Sequence, residues 1–131
     1  MLFRSGGTRY RMPEPGQRML LVGDPASAPA MVEAVDAADA TCRIVVVLQS
    51  DDDSPPLPDR EHQLIRVPPE DPAALADAVR DALGRARPDW AWVALESAAT
   101  KSIRRLVGSA GVPRRAIQAQ AYWIRGRAMG T

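Results

Sequence analysis

Two residue types that usually anchor chemistry are almost missing: the 131 residues hold one cysteine, Cys42, and one histidine, His62. A single thiol excludes an intramolecular disulfide and any multi-thiolate metal centre within one chain. Cys42 adjoins the apolar run Ile44–Leu48 and reads as a small buried hydrophobe. An isolated histidine with no second His or Cys near it reads as structural or solvated. Aromatic residues make up 5% and the formal net charge is +1. No segment is both strongly basic and studded with aromatics, so there is no electrostatic case for nucleic acid. Apolar runs such as Ile44–Leu48 fall far short of the roughly 20 residues that cross a bilayer, and the N-terminus lacks the apolar core of a signal peptide. The expectation is a cytoplasmic chain with no membrane contact.

What is present is ordinary for a folded domain: 46% apolar and 25% charged residues. The length suits a single core. Residues 1–18, with Gly6-Gly7, Pro13, Pro15 and Gly16, read as an extended arm or linker. Residues 19–126 form the folded unit and 127–131 a tail. Met19–Val22 is an unbroken apolar run ended by Gly23, the pattern of a buried parallel strand. Met31, Ala34, Val35 and Ala38 then recur at helical spacing, with Pro29 placed in the first turn. Ile44–Leu48 is a second parallel strand, and the acidic, proline-rich stretch 51–58 a surface loop.

Leu64–Val67 is a short third strand. Asp71-Pro72 then supplies an N-cap and first-turn pair for a helix burying Leu75, Val79, Ala82, Leu83 and Ala86. Trp90–Leu95 is a fourth strand, in which Trp90 and Trp92 share a face as core residues. Ser97 is placed to cap a third helix burying Ile103, Leu106 and Val107, and Gly108 and Gly111 to end it; Lys101, Arg104 and Arg105 make its solvated face. Ile117–Trp123 alternates apolar and polar residues, as a half-exposed edge strand does. The sum is a three-layer α/β/α domain with a five-stranded parallel sheet. A crevice is expected where the strand order reverses, at the C-terminal ends of the first and fourth strands.

Gly23-Asp24-Pro25-Ala26-Ser27-Ala28-Pro29-Ala30 joins the first strand to the first helix, where backbone N–H groups and the helix dipole can receive a diphosphate. It carries neither G-x-G-x-x-G nor a Walker lysine, and any doubly wound domain has a tight turn there. Asp51-Asp52-Asp53, just past the second strand, is either a solvated acidic loop or an acceptor for an adenosine ribose, which would favour NADH over NADPH.

Taken together, Leu20-Leu21-Val22-Gly23-Asp24 with Ala28-Pro29-Ala30, then Trp92-Val93-Ala94-Leu95-Glu96, then Ala121-Tyr122-Trp123-Ile124-Arg125-Gly126 occur in the order and spacing of a known family. The chain resembles the siderophore-interacting proteins, flavin-dependent ferric-siderophore reductases of the ferredoxin-reductase superfamily. The resemblance covers only their C-terminal, NAD(P)H-side domain. It implies a ferredoxin-reductase type NAD(P)-binding fold, with NAD(P)H held by Gly23, Asp24, Ser27, Ala28, Glu96 and Ser97. It also implies that Arg125 and Arg127 face an anionic ferric siderophore; a frayed basic C-terminus is the alternative for that pair.

The chain departs from the family where Gly-Asp-Glu-Thr-Ala-Leu-Pro-Ala becomes Gly-Asp-Pro-Ala-Ser-Ala-Pro-Ala, and where Ala-Gly-Glu becomes Ala94-Leu95-Glu96. Leu95 is expected to narrow access to the nicotinamide side. The flavin barrel, with its Arg-x-Tyr-Thr type motif, is absent, so FAD would come only through a partner domain. The implied role is in iron–siderophore reduction, as an oxidoreductase half that is incomplete alone. Its partner would be a separate flavin-domain protein or a second copy in a homodimer. The rival reading is a non-catalytic interaction or regulatory module that keeps the fold and has lost nucleotide binding.

Overall fold

The computed structural model describes residues 2–5, 8–50 and 62–121. Two short strands, β1 (Leu2–Ser5) and β2 (Thr8–Arg11), pair antiparallel in a hairpin within the stretch expected to be an extended arm. They precede β3 (Arg18–Gly23), α1 (Ala28–Ala37), β4 (Arg43–Gln49), β5 (Gln63–Val67), α2 (Pro72–Arg85), β6 (Trp90–Ala94), α3 (Ser97–Ser109) and β7 (Ile117–Ala119). The last five strands make one all-parallel sheet in the order β5-β4-β3-β6-β7.

The central strands are unbroken apolar runs because both faces are covered. On one face Met19, Leu21, Val46, Leu48, Trp90 and Trp92 pack with Met31, Ala34 and Val35 of α1. On the other, Leu20, Val22, Val47, Val93 and Leu95 pack with Leu75 and Val79 of α2 and Ile103 and Val107 of α3. The period of two in β3 and β6 divides these sets, and it sends both tryptophans into the α1 side of the core.

Local chemistry sets most of the helix ends. Asp71 caps α2 by accepting from the Ala74 amide at 2.9 Å, with Pro72 as the first helical residue. Three expectations are corrected. Glu96, not Ser97, caps α3, because its longer side chain reaches two amides at once. Gly108 lies inside α3, and the break falls at Gly111, whose φ of +98° is the left-handed conformation a glycine tolerates. The edge strand is confined to Ile117–Ala119, and all three of its residues are half-buried rather than alternating; residues 122–123 lie outside the described residues.

Candidate functional site

The chain runs outward from β3 to β4 and β5, then crosses to the other side of β3 as β6 and β7, so the strand order reverses between β3 and β6. Open parallel sheets hold their ligands at such a point, outside the C-terminal ends of the strands. Gly23 and Ala94 are register partners there. The turn leading into α1 and the turn leading into α3 therefore stand side by side, which brings Gly23, Asp24, Ser27 and Ala28 into one neighbourhood with Glu96 and Ser97.

The first turn is closed on itself. Asp24 is only 5% exposed. Its Oδ1 accepts from the amides of Ala26 at 3.0 Å and Ser27 at 3.2 Å. The Ser27 hydroxyl accepts from the Asp24 amide at 3.1 Å and donates to the Asp24 carbonyl at 3.3 Å. Pro25 and Pro29 have no N–H to offer. The amides of Ala26 and Ser27, just ahead of α1, thus already hold a carboxylate of the same loop. Ala28 is buried in the interior.

Gly23 serves the same closure. A Cβ there would lie 2.6 Å from Met31 Cε and 2.6 Å from Ser27 Oγ. The glycine is required by the approach of α1 to β3, with no need to invoke a ligand.

The second turn repeats the arrangement. Glu96 Oε2 accepts from the Ala98 amide and Oε1 from the Ala99 amide, both at 3.0 Å. Carboxylates suit the positive ends of helix dipoles, and two of them at neighbouring helix starts give the crevice a negative lip. A dinucleotide diphosphate would have to displace Asp24 from its amides and sit close to Glu96.

Leu95 requires a correction. Its side chain is fully buried with Val93, Ile103 and Val107 on the α2–α3 side of the sheet. It fills the core and does not narrow the crevice. Thr100 was not foreseen: its Oγ1 accepts from the Leu95 amide at 3.0 Å and so fixes the turn before α3. The available signal was its spacing, since Thr100, Ile103 and Val107 form one buried helical stripe. Arg125, Arg127 and Asp51–Asp53 lie outside the described residues. Among the described residues no group of His, Cys, Asp or Glu is gathered to hold a metal ion. No helix there is long and apolar enough to cross a membrane.

Comparison with known proteins agrees with this architecture. The family model described as siderophore-interacting protein matches residues 16–126. The mycobactin import ATP-binding/permease protein IrtA of Mycobacterium tuberculosis is 38% identical over 133 residues, which is 96% of this chain and 15% of IrtA. A siderophore utilization protein from T. fusca superposes with a TM-score of 0.67 at 22% identity, over 92% of this chain and 49% of that one. The ferredoxin reductase of carbazole 1,9a-dioxygenase shares the fold with a TM-score of 0.52 at 18% identity, over 83% of this chain and 33% of its own. The chain therefore spans about half of the T. fusca protein and a small part of IrtA.

Proposed function

Because the chain belongs to the siderophore-interacting protein family, we propose that it acts in iron–siderophore reduction as the α/β half of a reductase whose flavin is carried by a separate domain. The observation that carries this reading is one of extent. The family match takes in nearly the whole chain, yet the chain covers only 49% of the T. fusca siderophore utilization protein. A domain of this kind supplies position and electrostatics, while the flavin supplies the electron chemistry. The β3 and β6 ends, with Glu96 and Ser97, are the part that would close over the partner's flavin. The homology with a mycobactin importer supports a place in siderophore-dependent iron uptake.

NAD(P)H is the donor the family resemblance implies. Asp24 on the Ala26 and Ser27 amides and Glu96 at the start of α3 support a weak hold on its diphosphate, and no hydride step is assigned to this crevice. They also favour the second reading, a non-catalytic module that binds a protein partner. Titration with NADH and NADPH, followed by amide chemical shifts, separates the two. The reductase reading expects saturable shifts at Gly23–Ala28 and Glu96–Ser97 once the flavin-bearing half is present. Silence at millimolar nucleotide with that half bound would leave the interaction module.

A further inference from the structure

A cavity of about 730 Å³ opens at the opposite end of the sheet, where β3, β4 and β5 begin and α2 ends. Part of its wall is apolar, Leu20, Val45 and Ile65 from the sheet and Ala82 from α2, and Thr41, His62 and Gln63 add polar groups. Its rim is basic, with Arg18, Arg43 and Arg85, and no aspartate or glutamate among the described residues lines it. Asp81 lies 3.0 Å from the Arg85 guanidinium and balances that charge at the surface. Asp89 accepts from the backbone amide of Arg18 at 2.9 Å, which leaves the Arg18 guanidinium itself to be accounted for.

Arg18 and Arg43 are register partners on neighbouring strands. Lying two residues before Leu20 and Val45, they share the face those residues present to α2. Like charges directly opposite each other destabilise a sheet. An anion between the two guanidinium groups would relieve that repulsion and accept charge-assisted hydrogen bonds from both. An inorganic ion would leave the apolar wall unused, whereas the volume is that of a pocket for a small organic molecule.

We infer that this end of the domain binds a small organic anion with an apolar body, its carboxylate held between Arg18 and Arg43 and its body against Leu20, Val45 and Ile65. The inference is independent of the reading of the chain as half of a reductase, since the cavity faces away from the β3–β6 crevice.

Titration of the whole chain with sodium decanoate at fixed ionic strength, followed by amide chemical shifts, tests it. The expected result is saturable shifts at Leu20, Val45 and Ala82, with decan-1-ol, which has the same body and no charge, bound roughly tenfold more weakly or worse. Arg43→Gln, an exposed position that should leave the spectrum dispersed, should weaken decanoate by a similar factor. Equal binding of the alcohol, unchanged affinity in Arg43→Gln, or no saturation at the cavity residues would each overturn the assignment.

Discussion

Asp24 shows how one side chain decides what a turn can do. Its carboxylate takes the amides of Ala26 and Ser27 just ahead of α1, and the buried Ser27 hydroxyl bonds the main chain of Asp24 itself. Asp24→Ala leaves the Ala26 and Ser27 amides without their carboxylate and should cost about 1–3 kcal/mol, read as a shift of the urea midpoint. The same variant frees the amides, so its affinity for NADH should rise above that of the parent protein, as amide-shift titration would report; an unchanged affinity would show that the carboxylate is not what keeps the diphosphate out. Gly23→Ala is expected to cost about 1–3 kcal/mol through overpacking, because the new methyl meets Met31 and a Ser27 hydroxyl that is already fixed. Gly23 and Asp24 were legible in the sequence as the turn between a strand and a helix. That the Asp24 carboxylate would turn back onto the Ala26 and Ser27 amides was not legible, because the motif gives residue types and not where a carboxylate points.

At the scale of elements, the sequence was most readable where burial is complete. The apolar runs of β3, β4 and β6 have no alternation because helices cover both faces, and the Asp71-Pro72 pair announces α2 through its capping chemistry. Readability fell at edges and in short pieces. The β1–β2 hairpin hides in four-residue strands rich in arginine, although Gly6-Gly7 between them is a turn signal. The end of β7 depends on its neighbour rather than on its own alternation. Trp92 is fully buried at the centre of the α1-side core, so Trp92→Ala should destabilise by about 3–5 kcal/mol, measured by equilibrium unfolding. The exposed Arg80–Asp77 and Arg85–Asp81 pairs on α2 are spaced for ion pairing. Removing either should change stability by less than about 0.5 kcal/mol, a contrast with Trp92 that the same unfolding experiment resolves.

At the scale of the molecule, topology and extent carry the functional account. The strand order reverses between β3 and β6, the point at which open parallel sheets hold their ligands, and the order of apolar runs and helices was enough to expect that reversal. The pairing of Arg18 with Arg43 on the rim of the cavity at the other end rests on the register of β3 on β4, which the sequence alone does not give. On the proposed reading the flavin is carried by a domain outside these 131 residues, so its contribution is not legible in them. The most direct measurement is reduction of a ferric siderophore by the flavin-bearing half of a siderophore-interacting protein, produced as a separate chain, with NADH as donor and this protein added in increasing amounts. The account predicts a rate that rises with the added chain and saturates; a rate indifferent to it would contradict the assignment of this domain to the reductase.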